Sequence, residues 1–233
     1  MARAFDDASS QYLETDTAAV TAAPFTIAAW AQSDDATIGN QVFFIGDKDV
    51  AGEFWALGFS GDVAGDPISF FMNDSGNFTS VDSTTGYSVN TWHHLCAVET
   101  SGTSHTVYLD GGSSATSTAN RSPDGADRTS IGRLGDSTPT GYLSGRVAEA
   151  AVWNIALTAT QVGLLARGIC PLRIRPDALV AYWPLFGNAS PEVNFAKGTT
   201  GLNLTVTGAT QVDHFRSMPP FGFDSGWMGA FTA

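Results

Sequence analysis

The stretch NTWHHLCAVETSGTSHTVYLDGG, residues 90–112, predicts a β-hairpin. Residues 92–98 are rich in side chains that favour strands. Residues 106–110 alternate between apolar and polar side chains, and Asp110-Gly111-Gly112 is typical of the turn that closes a second strand. The stretch therefore predicts two neighbouring antiparallel strands joined by a short turn.

The same stretch raises a second interpretation, a zinc site. Side chains alternate between the two faces of a strand, so His94 and Cys96 share one face, and His105 on the neighbouring strand is a third candidate ligand. Structural zinc needs four closed ligands, and catalytic zinc needs three with supporting carboxylates. No second Cys or His pair at ligand spacing lies nearby in the sequence, so the pattern favours the hairpin with a buried cysteine.

Short apolar segments recur along the whole chain between clusters of Gly, Asn, Asp and Ser. Their spacing predicts an all-β sandwich or barrel rather than alternating strands and helices. The segments are residues 11–13, 25–31, 41–45, 54–59, 68–72, 92–98, 106–109 and 147–153.

One helix is predicted after these segments. Thr158 is the expected N-cap, Gln161 is its capping-box partner, and Leu157 and Val162 are placed to form a hydrophobic staple. Gly168 provides a C-terminal stop, which gives a helix of about two to three turns.

Composition and charge exclude several classes of partner. The chain has 233 residues, of which 43% are hydrophobic, which is enough for one domain with a substantial core. A net charge of −12 opposes binding to nucleic acid and to anionic membrane surfaces. The N-terminus lacks the apolar core of a signal peptide, and no apolar run reaches the length of a membrane span. Cys96 and Cys170 allow one disulfide, but free thiols are favoured.

Several short motifs carry a family resemblance. In chain order they are FDDASSQYLE, PFTIAAW, NTWHHLCAVE, TVYLDGG, SIGRLGD, GYLSGRVAEAAVWNIALT and the helix that follows. Together they resemble the laminin-G-like and pentraxin-like members of the concanavalin A-like jelly-roll superfamily, over residues 4–168. The resemblance implies an all-β jelly-roll sandwich of two antiparallel sheets with one short helix. It also implies that Trp92-His93-His94 starts a strand and is a scaffold element rather than a metal site.

The C-terminal third implies a circularly permuted arrangement. LVAYWPL and LNLTVTGATQV resemble a part that many family members carry before their first strand, but here they follow the helix. Sandwich termini often lie close together, so we expect residues 202–207 to pair near residues 4–12. The expected domain spans residues 1–213, with the main motifs at 4–168, a connector at 169–178 and a completing segment at 179–213.

Residues 214–233 form an aromatic tail rich in Pro and Gly, without any hydrophobic period. Its Phe221, Phe223, Trp227 and Phe231 cannot form a core of their own, so they must pack on this domain, pack on a partner or remain loose. We expect the tail to serve assembly, including self-association into a homo-oligomer.

The resemblance to pentraxin-like members, which bind calcium through loop carboxylates and amides, implies calcium candidates at Asp49 and Asp136. Before the second aspartate, Arg133-Leu134-Gly135 replaces the acidic and amide residues of the family and adds a cation. Each aspartate can instead shape a turn. The alternatives are therefore no cofactor or a calcium ion.

Catalysis is not expected. The glucanases on this fold use a Glu-x-Asp-x-x-Glu strand to supply a nucleophile and an acid/base. The nearest match starts at Glu14-Thr15-Asp16, but Ala19 stands where the second glutamate is needed. The chain shows no Gly-x-Ser-x-Gly elbow, Walker loop or His-Glu-x-x-His helix.

Two non-enzymatic functions remain open. One is a virion accessory or capsid decoration protein of a tailed bacteriophage, displayed on the virion surface and bound to coat proteins through its tail. This follows from a fold-level resemblance to proteins encoded among phage structural genes. The other is a soluble or cell-surface lectin that binds glycans, with Trp55 as a candidate aromatic contact, although its EFWALGF context is more typical of a core. Weak glycan contacts repeated over many copies would make the two functions compatible.

Overall fold

The computed structural model describes residues 1–186, 190–198 and 200–214, and these residues form two antiparallel sheets with one α-helix. The predicted all-β class is confirmed. In chain order the strands are β1 (Ala2–Phe5), β2 (Tyr12–Thr15), β3 (Phe25–Ser33), β4 (Gly39–Gly46), β5 (Glu53–Ser60), β6 (Pro67–Asp74), β7 (Asn77–Gly86), β8 (His93–Ser101), β9 (Ser104–Leu109), β10 (Gly112–Ser117), β11 (Arg128–Ile131), β12 (Gly145–Trp153), β13 (Leu179–Trp183), β14 (Thr205–Thr207) and β15 (Thr210–Val212). No helix in these ranges is long and apolar enough to cross a membrane.

The two sheets face each other as a sandwich. The eight-stranded sheet has the order β10-β9-β8-β3-β12-β1-β15, and β13 also pairs with β12. The seven-stranded sheet has the order β14-β2-β11-β4-β5-β6-β7. Apolar side chains fill the space between the sheets, and the largest of them include Trp55, Trp183, Phe25 and Phe43, each at most 1% exposed.

The predicted hairpin is confirmed. β8 and β9 are antiparallel, with Cys96 opposite Tyr108, Ala97 opposite Val107 and Glu99 opposite His105. Because opposed residues share a face, this register places His105 between the sheets. Cys96 belongs to a separate cluster on the outer face of the sheet, beneath the helix.

This register explains why the stretch does not assemble zinc ligands. His94 and Cys96 share the outer face, as the alternation predicted, but His105 lies on the inner face. Cys96 and Cys170 are free buried thiols in the same outer cluster.

The helix α1 (Ala159–Leu165) covers part of the outer face. Thr158 is its N-cap, and both hydrogen bonds of the predicted capping box with Gln161 are present. Leu157 and Val162 are buried in the outer cluster, as a hydrophobic staple requires. The helix ends before the predicted stop, with Ala166 as C-cap, and Gly168 follows at a φ of 83°.

The C-terminal segment completes both sheets. β14 pairs with β2, with Thr205 opposite Glu14, and β15 pairs with β1, with Thr210 opposite Ala4. The expected pairing of residues 202–207 with residues 4–12 is observed in part, because residues 205–207 pair with residues 12–14 while residues 2–4 pair with β15. The description as a circular permutation and the domain boundary at residue 213 stay our interpretation. The tail residues Phe221, Phe223, Trp227 and Phe231 lie outside the described residues.

Candidate functional site

A pocket opens at one end of the sandwich, between loops of both sheets. Its walls are residues 21–23 of the β2–β3 loop, residues 99–102 at the turn from β8 to β9, and residues 122–124 of the β10–β11 loop, with Trp55 of β5 at its base. Its volume is about 470 Å³. A space of this size accommodates a small organic ligand such as a sugar residue. We call it the loop-end pocket.

Trp55 anchors the base of the loop-end pocket from within the core. Its ring meets Phe25 edge-to-face, with the ring centroids 5.2 Å apart at 77°. The side chain is only 1% exposed. Trp55 is therefore a core residue whose edge contributes to the pocket, and it is not an exposed stacking platform.

A buried pair of titratable groups lies beside Trp55. The β8–β9 register sets Glu99 opposite His105, and both side chains are fully buried. His105 Nδ1 lies 2.5 Å from Glu99 Oε2, and its Nε2 lies 2.7 Å from the carbonyl oxygen of Ala119. A carbonyl oxygen can only accept, so Nε2 carries a hydrogen. The contact between Nδ1 and Glu99 then holds one further proton between the two side chains.

The surroundings keep that proton on the pair. Burial raises the pKa of Glu99, and the interactions with His105 offset this only in part. Burial alone would lower the pKa of His105, but hydrogen bonds to Glu99 and to the Ala119 carbonyl raise it above its ordinary value. Whichever partner holds the proton, the Glu99–His105 pair carries no net charge.

Two polar atoms beside this pair lack hydrogen bonds. Glu99 Oε1 and Trp55 Nε1 are both buried, and neither has a partner among the described residues. Trp55 lies close enough to favour the charged form of Glu99, but its N–H does not reach hydrogen-bonding geometry. Buried polar groups are normally satisfied, so an unsatisfied acceptor beside an unsatisfied donor marks a polar spot at the base of the loop-end pocket.

A group of acidic side chains lies at the same end of the sandwich. Carboxylate oxygens of Asp47, Asp49 and Asp127 lie within 4.8 Å of one another. We call this group the acidic loop cluster. It shares the β10–β11 loop with the loop-end pocket, because Gly125 of that loop, with a φ of 65°, lies against the Asp47 carboxylate. A side chain at position 125 would collide with that carboxylate.

The acidic loop cluster already contains a cation from the chain itself. The Lys48 ammonium group contacts the Asp127 carboxylate and lies 3.3 Å from Asp49 Oδ2. Burial opposes the charge of Asp127, but the bonds from Lys48 lower the pKa of this carboxyl below its ordinary value. Three carboxylates suit a hard cation such as calcium, but an ion would have to displace Lys48. In this arrangement the ligand set does not fit calcium without that rearrangement.

The two calcium candidates from the sequence lie in different loops. Asp49 is exposed in the β4–β5 loop, within the acidic loop cluster. Asp136 is buried in the β11–β12 loop, where its Oδ1 accepts hydrogen bonds from the backbone N–H and the hydroxyl of Thr138. These bonds are those of an Asx turn.

The carboxylates that resemble a glucanase motif are held in ion pairs. Glu14 Oε2 accepts from Arg133 Nη2 at 2.5 Å, and Asp16 Oδ1 accepts from Arg128 Nη2 at 2.7 Å. The Arg133 guanidinium also stacks over Tyr12, with its carbon 3.5 Å from the ring centroid. These carboxylates therefore form ion pairs on the surface of the seven-stranded sheet.

Sequence reasoning missed the Glu99–His105 pair, although a signal was present. Glu99 and His105 stand symmetrically about the turn of the predicted hairpin, at positions that oppose each other across two strands. The other pocket walls come from segments distant in sequence, and no local pattern joins them.

Sheet order, the covering helix and a pocket between loops define a jelly-roll sandwich with a pocket at its loop end. The chain belongs to the concanavalin A-like lectin/glucanases superfamily, because the laminin-G-like family model of that superfamily matches residues 7–163. The resemblance seen in the sequence motifs is therefore confirmed. No curated protein sequence matches the chain.

Solved structures share the fold at low sequence identity. A putative carbohydrate-binding protein from Bacteroides ovatus is 20% identical with a TM-score of 0.65, and the match covers 90% of this chain and 58% of that one. A heptameric pentraxin from Limulus polyphemus is 14% identical with a TM-score of 0.57, covering 71% and 81%. The module CBM40 of a Ruminococcus gnavus sialidase, bound to sialyllactose, is 10% identical with a TM-score of 0.54, covering 63% and 84%. These likenesses establish the fold.

Proposed function

We propose that this protein is a carbohydrate-binding module that holds a sugar in the loop-end pocket. The observation that carries the proposal is a space of about 470 Å³ lined by an indole edge, small apolar residues, hydroxyl groups and backbone groups. A sugar presents apolar ring faces and a rim of hydroxyls, so this lining matches its surface. The carbohydrate-binding proteins among the structural neighbours support the proposal at the level of the fold.

Filling the pocket tests this proposal. Ala22 is exposed on the pocket wall, so Ala22→Trp inserts bulk into the space without disturbing the core. Ala64 is exposed in the β5–β6 loop, at the opposite end of β5 from Trp55, so Ala64→Trp is the matched control. A glycan array followed by isothermal titration should show binding by the wild type and by Ala64→Trp, and its loss in Ala22→Trp. Equal binding by all three proteins would place the sugar elsewhere.

The calcium dependence of sugar binding is a separate proposal. Asp49 remains its first candidate residue, now together with Asp47 and Asp127, while Asp136 stays a ligand prediction in a different loop. Because the Lys48 ammonium group already contacts Asp49 and Asp127, we propose that sugar binding proceeds without calcium. Titration in chelator and in millimolar calcium tests this, and binding that requires calcium would reverse it.

A virion role is the second candidate function. We propose that the jelly roll is displayed on the surface of a tailed-phage particle or, in the alternative, on a cell surface, with residues 215–233 making contacts to coat proteins or to other copies. The proposal rests on the fold-level resemblance to proteins encoded among phage structural genes. The last described residue before the tail is His214, whose ring centroid lies 4.2 Å from that of Trp92. Light scattering of the full chain and of a chain ending at His214 tests it. A tail-dependent oligomer would support assembly, and two identical monomers would oppose it.

A further inference from the structure

The lining of the loop-end pocket carries a charge preference. Among the described residues that line it, none is Lys or Arg, whereas Asp124 stands exposed at its rim. The deeper carboxylate, Glu99, shares a proton with His105 and forms a neutral pair. The inside of the pocket is therefore neutral, and its rim is negative.

Two cations near the pocket walls have partners outside the pocket lining. Lys48 is bound in the acidic loop cluster by Asp127 and Asp49. Arg121 precedes the loop that forms one wall, and its Nη1 donates to the carbonyl oxygen of Asn120 at 2.6 Å. Proteins recognise carboxylates with a guanidinium, an ammonium or several converging N–H donors. Apart from Glu99, Asp124 is the only ionisable side chain among the described residues that line the pocket, so a sugar carboxylate finds no cation there.

The base of the pocket provides a single acceptor beside a single donor. Glu99 Oε1 can accept a hydrogen bond and Trp55 Nε1 can donate one, and both atoms are unsatisfied in the described part of the chain. A hydroxyl group can donate to the first and accept from the second at the same time. A carboxylate oxygen can use only the indole N–H and would lie against the Glu99 oxygen.

We propose that the loop-end pocket selects an uncharged sugar and rejects sugars with a carboxylate, and that one ligand hydroxyl bridges Glu99 Oε1 and Trp55 Nε1. This specificity rests on the proposed carbohydrate-binding function. The protein therefore differs in ligand class from a module that holds sialyllactose, although the two share a fold.

The test compares matched neutral and acidic sugars. Isothermal titration of the full chain uses lactose, cellotriose, arabinotriose and chitotriose as neutral probes, and sialyllactose and digalacturonate as acidic probes. We expect a neutral probe to bind, Ala22→Trp to remove that binding, and the acidic probes to bind at least about tenfold more weakly, as unpaired polar groups and like charges require.

Variants at the rim and at the base of the pocket locate the selectivity. Asp124→Lys places a cation at the exposed rim and should raise the affinity for acidic probes relative to neutral probes, with Asp124→Asn as its control. Glu99→Leu removes the acceptor beside Trp55 and should weaken neutral binding by about tenfold, whereas a glutamine could donate its amide N–H to His105 Nδ1 and keep a carbonyl oxygen in that place. Trp55→Phe removes the indole donor and gives an independent reading if Glu99→Leu does not fold.

The outcomes separate the two proposals. The charge preference would be wrong if acidic probes bound the wild type as tightly as neutral probes and if Ala22→Trp abolished that binding. The carbohydrate-binding function would still hold. Unchanged neutral affinity in Glu99→Leu and in Trp55→Phe would overturn the bridging hydroxyl, because the ligand would then not depend on either atom. No binding of either class would overturn both the selectivity and the proposed function.

Discussion

Each face of the β8–β9 hairpin buries a histidine, His105 on the inner face and His94 on the outer face, and the two differ in their hydrogen-bond partners. On the inner face, His105 bonds to Glu99 and to the Ala119 carbonyl, and these bonds raise its pKa despite burial. On the outer face, His94 lies edge-on to Trp30 with its Nδ1 unbonded among the described residues, and burial lowers its pKa to about 4. Burial alone thus does not decide the charge of a histidine. The partner that the strand register provides decides it.

Removing the partner on the inner face should have the largest effect. In His105→Leu, Glu99 stays buried without a counter-ion, which should lower the free energy of unfolding by about 3–5 kcal/mol near neutral pH. The loss should shrink towards about pH 5, because a carboxyl with a raised pKa is destabilising only once it ionises. Urea denaturation at about pH 5 and about pH 8 measures both values.

The double variant Glu99→Gln with His105→Leu is the control for that measurement. It removes the buried charge, so it should recover part of the stability and lose the dependence on pH. If His105→Leu were as stable as the wild type at about pH 8, the Glu99–His105 pair would not stabilise the fold.

The outer face should respond to pH with the opposite sign. The pKa of His94 is about 4 in the folded protein against an ordinary 6.5, so the neutral form is the folded form. Stability should be complete above about pH 6.5 and decline as pH falls towards 4, by on the order of 3 kcal/mol. His94→Phe keeps the ring contact with Trp30 and should flatten this decline.

His214 contributes to the same acid window and needs its own variant. Burial, and then the nearby N-terminus, lower its pKa to about 4 as well. The slope that remains in His94→Phe should therefore vanish in the double variant with His214→Phe. An unchanged slope in both variants would mean that protonation of neither histidine limits acid stability.

The contrast between the faces also marks what the sequence could predict. The hairpin, the all-β class and the capping box around Thr158 follow from local patterns, since alternation, turn residues and cap spacing act over a few positions. The pairing of β14 with β2 also followed, because a family resemblance carries information on distant contacts. The sequence analysis did not predict which face of the sheet His105 lies on. That face depends on the register between β8 and β9, which the turn between them sets.

The candidate site was less predictable than the fold for a geometric reason. Loops at one end of a sandwich come from separate hairpins, so Asp47 and Asp127 meet although 80 residues separate them in the sequence. Asp49 was identified, but its neighbours were not, and the capture of the cluster by Lys48 requires coordinates. The pocket walls at residues 21–23 and 122–124 carry no motif, because backbone and small side chains form them.

Helix α1 covers part of the outer face, and removing its N-cap hydrogen bond should have a smaller effect than the histidine variants. Thr158→Ala removes the acceptor for the Gln161 backbone N–H and should lower the free energy of unfolding by about 1 kcal/mol. Thr160→Ala, also exposed and inside the helix, should be neutral or slightly stabilising. Thermal unfolding of the two variants side by side measures the difference, and equal losses would point to a general effect of truncation rather than to the cap.

The smallest effect should come from an ion pair that is not buried. Lys48 bridges Asp49 and Asp127 on the surface, where solvent screens the interaction, so Lys48→Ala should change the melting temperature only slightly in chelator. The same variant leaves three carboxylates without their cation. Millimolar calcium should therefore raise the melting temperature of Lys48→Ala by binding its folded form, while the melting temperature of the wild type should change little.

The control for both measurements is Lys197→Ala, which removes a lysine from a different surface loop. If calcium stabilised the wild type and Lys48→Ala equally, the ammonium group would not be what fills the acidic loop cluster.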